Sequence, residues 1–168
     1  MVIKICLVVL VVIIPTLIGL KRARKYEQRE QVLRESLVLF RRVSNDIKYN
    51  LSTVPNAIEA SRQDFKTILK DVLGSISTAI LDNTYSDMVV TSEIGSITCL
   101  LPYDKQVITN AILSLGTTDV DSQLGILNNT IDIIQDLEKE AGAEKTKNSK
   151  LYRTIGLVTG LMFAIVVI

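Results

Sequence analysis

The chain contains no histidine and no tryptophan, and only two of its 168 residues are cysteines. Without histidine there is no Ser-His-Asp triad, no histidine metal ligand and no side chain that ordinarily titrates near neutral pH. The two thiols, Cys6 and Cys99, are too few for a zinc site or a disulfide framework. Enzymes that depend on these groups are excluded, and we expect Cys99 to pack in a protein core.

Glycine is also scarce, at eight residues, and neither the P-loop pattern nor G-x-G-x-x-G is present. The 19 basic and 18 acidic residues give a net charge of +1, which argues against a nucleic-acid binder driven by bulk charge. Asp119 and Asp121 could form an acid–base pair, but the first turn of a helix accounts for both. We predict a protein that is not an enzyme and that has no cofactor, no metal and no nucleic-acid partner.

Apolar residues are abundant, at 48% of the chain with a mean hydropathy of +0.32, which excludes disorder. Uncharged runs lie near both ends, from Ile5 to Leu20 and from Ile155 to Ile168. A helix of residues 1–20 is about 30 Å long, and one of residues 151–168 is about 27 Å long, which suits a bilayer. We predict transmembrane helices at 1–20 and 151–168. A cleaved signal peptide and a buried core helix are the respective alternatives.

Basic clusters adjoin the inner side of both runs. They are Lys21, Arg22, Arg24 and Lys25 after the first run, and Lys145, Lys147, Lys150 and Arg153 before the second. Because positive charge stays on the cytoplasmic side, residues 21–150 are predicted to form a cytoplasmic domain, with both chain ends across the membrane. The first cluster also suits contact with anionic lipids of the bilayer.

The central 130 residues predict an all-α helical bundle, since apolar residues recur at helical spacing and alternating runs are short. The first helix is predicted from about Arg24 to Asn50, with Glu30 and Arg34 on its exposed face. Its apolar stripe comprises Tyr26, Leu33, Leu37, Phe40, Ile47 and Leu51. Further helices are predicted at Val54–Ser61, Asp64–Ser77, Asp87–Leu100 and Pro102–Ser114, with 78–86 left ambiguous. Pro55 lies in the first turn of the predicted Val54–Ser61 helix.

A long last helix follows Gly116, which is predicted to end the preceding helix. Thr118 or Asp119 is expected to cap the new helix. Its apolar stripe comprises Val120, Leu124, Leu127, Ile131, Ile134 and Leu137. The helix can continue through the basic stretch into the second apolar run, with Gly142 and Asn148 as the weak points.

Two further patterns have more than one interpretation. Five acidic side chains lie on the last helix: Asp132, Asp136, Glu138, Glu140 and Glu144. They form either a solvated face or a docking surface for a basic partner. Gly156 and Gly160 have the spacing of paired membrane helices, although glycines are common in such helices without pairing.

Several strings, in order and spacing, resemble the stage III sporulation protein AB family of endospore-forming bacteria over nearly the whole chain. The most specific is Leu115-Gly-Thr-Thr-Asp119 followed by Gln123, ahead of a long helix. A second is Asn45-Asp-Ile-Lys-Tyr49 with Pro55 downstream. The third runs from Glu144 to Arg153 and leads into Gly156 and Gly160. Asp46 stands where the resemblance leads us to expect glutamate, a mild departure.

The resemblance implies a bundle like that of the F-type platform protein of type II secretion and type IV pilus machines. It implies a non-enzymatic part of the channel between mother cell and forespore, in the outer forespore membrane with the bundle in the mother-cell cytoplasm. The implied partners are a cytoplasmic secretion-type ATPase and other channel membrane proteins, and the oligomeric state stays open. The alternatives are a secretion or pilus platform, which usually carries two bundles, and a membrane-anchored regulatory module.

Overall fold

The computed structural model describes residues 2–50, 53–82 and 84–152, and also residues 154, 155, 158 and 162. The side chains of residues 2–12, 14–16, 50 and 149 lie outside this description. Within the described residues every regular element is helical, which confirms the predicted all-α class.

Six α-helices and two π-helical segments follow one another in the described residues. The α-helices are α1 (Val2–Asn45), α2 (Val54–Arg62), α3 (Leu69–Leu81), α4 (Asp87–Gly95), α5 (Pro102–Ser114) and α6 (Val120–Glu144), and the π-helical segments are Asp46–Asn50 and Lys145–Ser149. The chain forms two compact units, one from Met1–Glu30 with Glu140–Ile168 and the other from Gln31–Lys139. In the second unit α2 packs on α3, α3 on α4, and α4 on α5.

No helix within the described part of the chain is both long enough and apolar enough to cross a bilayer. The predicted segment at 151–168 falls mostly outside the described residues, and Gly156 and Gly160 lie outside them altogether. In the predicted segment at 1–20, the backbone is helical from residue 2, while most side chains lie outside the description.

α1 is longer than predicted, because it is continuous from Val2 to Asn45 instead of beginning near Arg24. Neither glycine nor proline occurs between Leu20 and Asn45, and this stretch is rich in Lys, Arg, Glu, Gln and Leu, which favour helix. The predicted apolar stripe is buried at Leu33, Leu37, Phe40 and Ile47, whereas Tyr26 is only half-buried and Leu51 lies outside the described residues.

α3 begins at Leu69 rather than near Asp64, because a turn before it is held by α1. The Glu35 carboxylate accepts hydrogen bonds from the backbone N–H groups of Lys66 (2.8 Å) and Thr67 (3.3 Å), and from the Thr67 hydroxyl. These bonds satisfy both backbone donors and hold residues 66 and 67 against α1. Phe65 is buried ahead of the turn, whereas Ile68 is exposed.

α4 ends at Gly95, five residues before its predicted end at Leu100. The Lys105 ammonium donates to the Gly95 carbonyl (2.6 Å), which satisfies one of the acceptors that a helix end exposes. The loop that follows places Ile97, Cys99 and Leu100 in the core. The predicted core position of Cys99 is therefore confirmed, in a loop instead of a helix.

The connection from α5 to α6 agrees closely with prediction. α5 spans Pro102–Ser114, and Gly116 follows with φ +79°, the left-handed conformation that ends many helices. α6 buries Leu127, Ile134 and Leu137 but leaves Val120 exposed, contrary to prediction. The predicted continuation past α6 holds, since Lys145–Ser149 is π-helical and residues 150–152 are again α-helical.

Gly116 and Gly125 offer a matched pair of substitutions. Gly116→Ala should lower the free energy of unfolding by about 1–2 kcal/mol, because an L-residue is strained in the left-handed region. Gly125→Ala should raise it by about 0.5–1 kcal/mol, since Gly125 lies inside α6 and nothing lies within 4 Å of an added Cβ. Chemical denaturation followed by circular dichroism measures both. Equal effects of the two substitutions would contradict the assigned Gly116 conformation.

Candidate functional site

The structure brings two of the predicted residues, Pro55 and Gly116, to one apolar cavity of about 260 Å³. Pro55 lies in the first turn of α2, where its missing N–H costs nothing, and Gly116 turns the chain after α5. The rest of the lining is apolar: Val54, Ile58, Ile80, Tyr85, Ile112 and Leu115. The cavity therefore lies among α2, the end of α3, the Tyr85 segment and the end of α5.

Asp119 caps α6, which confirms one of the two residues, Thr118 or Asp119, that were predicted for this position. Its carboxylate accepts a hydrogen bond from the Ser122 backbone N–H (3.1 Å), and its carbonyl accepts one from the Gln123 N–H (2.9 Å). The Ser122 hydrogen bonds hold the pKa of the fully exposed Asp119 carboxyl below its ordinary range. Asp119 thus fixes where α6 begins, three residues after the cavity-lining Gly116.

Gln123 is buried on the first turns of α6, with 6% of its surface exposed. Its amide nitrogen has no hydrogen-bond partner in the described part of the chain. A buried donor without an acceptor is unfavourable, so this amide distinguishes Gln123 from the apolar residues of the α6 stripe.

Asp46 and Tyr49 do not join the cavity. Both lie in the π-helical segment Asp46–Asn50 that extends α1. The Tyr49 ring is largely exposed, and the Lys48 ammonium lies 5.1 Å from the centre of this ring. This cation–π contact organises a surface position rather than a binding pocket.

The five acidic residues that were predicted to share one face of α6 differ in their exposure and in their partners. Asp132, Asp136 and Glu140 are exposed, and Asp136 pairs with Lys139 at 3.0 Å. Glu138 and Glu144 are instead half-buried and engaged by arginines of α1. The prediction of one solvated or docking face of five acidic residues is therefore wrong for these two.

Within the unit Gln31–Lys139, α1 and α6 are joined by surface hydrogen bonds. Arg34 donates to Glu138 at 3.0 and 3.1 Å, and Arg41 donates to Gln135 at 2.9 Å. As the α1 residue number rises, that of its α6 partner falls, so the two helices run antiparallel here. The Arg34 side chain remains 59% exposed, so this ion pair is screened by solvent.

Within the other unit, two ion pairs join the N-terminal and C-terminal parts of the chain. Arg29 pairs with Glu144 and Glu30 pairs with Lys145, each at 2.7 Å. Only 4% of the Arg29 side chain and 9% of the Glu30 side chain are exposed. The predicted exposed position of Glu30 is wrong, because its carboxylate is buried against the Lys145 ammonium. We call these four residues the charged clasp.

A tyrosine pair extends the same contact. The rings of Tyr26 and Tyr152 stack with centroids 5.9 Å apart and an interplanar angle of 17°, and the Arg22 guanidinium lies 5.9 Å from the Tyr152 ring centre. Burial, followed by the hydrogen bond to Tyr152, raises the pKa of the Tyr26 hydroxyl. The clasp and this stack together join residues 22–30 to residues 144–152.

The clasp had a signal in the sequence. Arg29 and Glu30 lie four and three residues before Leu33, so both positions fall on the apolar stripe of α1. Charged residues on a buried stripe require partners of opposite sign, although the spacing alone does not identify Glu144 and Lys145. Tyr85 had no comparable signal, since it lies in a loop. No group of metal-ligating side chains occurs among the residues that the structure describes.

Comparison with known proteins gives one family. The model for the stage III sporulation protein AB family matches residues 4–168, nearly the whole chain. No curated protein and no solved structure matches the chain. The match thus includes both the clasp and the cavity, and it rests on the sequence rather than on the fold.

Arg29 and Arg34 provide a matched test of the clasp. Arg29→Ala should lower the free energy of unfolding by about 1–3 kcal/mol, because the half-buried Glu144 carboxylate loses the charged donor that it pairs with. Arg34→Ala should cost less than about 1 kcal/mol, since its ion pair is at the surface. The free energy of unfolding of both variants is measured on the full chain in nonionic detergent, by chemical denaturation followed by circular dichroism, a signal that needs no tryptophan. A larger loss for Arg34→Ala would contradict the assignment of burial.

The lowered pKa of Asp119 predicts a pH dependence of stability. A carboxyl group whose pKa is lower in the folded than in the unfolded protein contributes its full stabilisation of the fold above its unfolded pKa, which is about 4. This stabilisation is lost as the pH falls through the pKa of the folded state. The melting temperature of wild type should therefore exceed that of Asp119→Ala at pH 7, and this difference should shrink below about pH 4. Asp119→Asn, which keeps a capping oxygen, is the control. A difference that is constant with pH would contradict the assigned cap.

Proposed function

Since the chain belongs to the stage III sporulation protein AB family, its role lies in stage III of sporulation, and we propose that it acts there as a non-enzymatic membrane platform. In this proposal the platform is part of the channel between mother cell and forespore. It couples a cytoplasmic secretion-type ATPase to the membrane proteins of the channel.

The proposed placement follows from the two apolar runs and the basic clusters beside them. Residues 1–20 and 151–168 cross the outer forespore membrane, and residues 21–150 form the domain in the mother-cell cytoplasm. The clusters at 21–25 and 145–153 keep this orientation, since positive charge is retained on the cytoplasmic side.

The charged clasp is the observation that carries the proposal. A platform must hold its two membrane segments at a fixed separation, and the clasp joins the chain a few residues inside both of them. Arg29 and Glu30 are buried beside their partners, so sliding one packed helix along the other would leave a buried charge without its counter-charge, which is strongly unfavourable. A relay of movement to the membrane needs such a joint, because a loose pair of helices would absorb the movement.

The mechanism that we propose uses the long helices. The ATPase binds the bundle, and α6 with its continuation to residue 152 conveys the resulting displacement toward the membrane segment that contains Gly156 and Gly160. Consecutive backbone hydrogen bonds make a helix stiff along its axis, which suits it to this task. The chain itself hydrolyses nothing, as its lack of histidine and of a phosphate-binding loop suggests.

Two alternatives remain distinguishable from this proposal. A platform of a secretion or pilus system would use the same clasp, but the family match favours sporulation. A membrane-anchored module that only sequesters a partner would bind the ATPase without needing a rigid joint at the membrane. The effect of breaking the clasp therefore separates a relay from a sequestering module.

A charge exchange tests the relay. Glu30→Lys and Lys145→Glu should each reduce the count of heat-resistant spores by about tenfold or more, because a buried charge then faces a like charge. The double exchange should restore most of the count. Asp64→Lys, at the exposed ion pair with Arg42 (2.9 Å), is the matched control and should leave the count unchanged.

Binding to the ATPase is measured beside the spore count. The full chain in nonionic detergent should bind the purified ATPase saturably, and both single exchanges should still bind it. Normal spore counts in both single exchanges would refute the relay. Absence of ATPase binding by the folded wild-type chain would refute direct coupling.

A further inference from the structure

The acidic residues of the chain are unevenly distributed. Residues 71–138 contain ten acidic side chains and one lysine, a net charge of −9, whereas residues 21–70 contain twelve basic and six acidic side chains, a net charge of +6. Most of the apolar cavity between Pro55 and Gly116 is therefore built from a strongly acidic part of the chain.

Four exposed carboxylates belong to the two segments that contribute Tyr85 and Gly116 to the cavity. They are Asp82 and Asp87 on one segment, and Asp119 and Asp121 on the other. None of the four makes an ion pair within the described residues. They are therefore available to a basic ligand, unlike Glu138 and Glu144.

The Tyr85 segment is also unusually apolar at its surface. Leu81 and Met88 are 69% and 82% exposed. Tyr85, which lies between them in the sequence, lines the cavity. Burial, followed by the nearby Asp87 carboxylate, raises the pKa of the Tyr85 hydroxyl. Exposed methionine and aromatic side chains are frequent where a protein binds another polypeptide.

We propose that this cavity is a docking site for a basic segment of a partner protein, one whose large apolar side chain enters the cavity between flanking lysines or arginines. The cavity volume lies below the roughly 300–1,000 Å³ of small-molecule pockets and suits an anchoring side chain. The inference rests on the proposed function only for the identity of the partner, the ATPase, and it assigns the face that this partner contacts.

The other acidic surface of the chain is a weaker candidate. Asp132 and Asp136 on α6 are exposed, but Asp136 already pairs with Lys139, and neither residue adjoins the cavity. Charge alone attracts any basic protein, whereas a cavity selects for an apolar side chain at one position. Each surface offers one pair of exposed carboxylates, Asp82 with Asp87 and Asp132 with Asp136, so equal numbers of charges can be reversed at both.

The first test uses a short lysine-rich peptide with one central tryptophan as the probe. Because the chain has no tryptophan, the peptide fluorescence reports binding without interference. The full chain in nonionic detergent should bind the peptide with a blue shift of its emission, and detergent alone provides the baseline. Replacing the peptide tryptophan by serine should weaken binding by about tenfold or more, if an apolar anchor enters a cavity.

Matched charge reversals then locate the site. Asp82→Lys with Asp87→Lys should weaken peptide binding by about tenfold, whereas Asp132→Lys with Asp136→Lys should change it by less than about twofold. Asp82→Asn with Asp87→Asn, which disturbs the start of α4 less, should give about a threefold loss. Circular dichroism checks that every variant is folded. Equal losses at both surfaces, or no loss at the cavity, would overturn the assignment.

A second arm repeats the comparison with the purified ATPase. The same ranking of variants would identify the ATPase as the partner that uses the cavity. If the folded wild-type chain binds the peptide at the cavity but does not bind the ATPase, the direct coupling of the proposed function fails while the docking site stands. If the ATPase binds wild type and all variants equally, coupling stands and the cavity is refuted as its docking site.

Discussion

Buried charge is the constraint on which the arrangement of the chain ends depends. Arg29 and Glu30 lie on the apolar stripe of α1, where each side chain is almost fully excluded from water. Such charges are tolerated only beside partners of opposite sign, and Glu144 and Lys145 are those partners. Two adjacent pairs of opposite polarity favour the observed pairing, because exchanging the partners would bring Arg29 to Lys145 and Glu30 to Glu144. The Tyr26–Tyr152 stack lies in the same register.

The two kinds of acidic residue in this chain have different consequences. Glu138 and Glu144 are held by arginines of α1, so their charge contributes to the fold and is not available to a partner. The exposed carboxylates that follow Leu81 and Gly116 make no ion pair within the described residues, so solvent and salt screen their charge until a basic ligand binds. Such a surplus of negative charge favours association with a basic partner, as at the docking site that we propose.

Sequence patterns predicted the helices well where local chemistry decides them. α5 and the start of α6 were correct because Pro102, Gly116 and Asp119 act on their own neighbours. The start of α3 and the end of α4 were wrong because distant groups decide them, namely the Glu35 carboxylate and the Lys105 ammonium. Of the candidate site, Pro55 and Gly116 could be named in advance, but their shared cavity could not. Helical periodicity shows which face of a helix is buried, but it does not show which other helix or loop packs against that face.

In the platform that we propose, which uses no catalytic group, a signal is transmitted through differences in binding. A partner that bound every arrangement of the bundle equally would shift none of them, however tightly it bound. The cavity meets this requirement, because its walls come from α2, α3, α5 and the Tyr85 segment, and no single helix contains them. A small displacement of any of these elements changes the volume open to an anchoring side chain, and packed interiors do not deform continuously. The affinity of a docked segment therefore depends on how these elements are arranged. By reciprocity, the docked segment biases that arrangement by the same free energy.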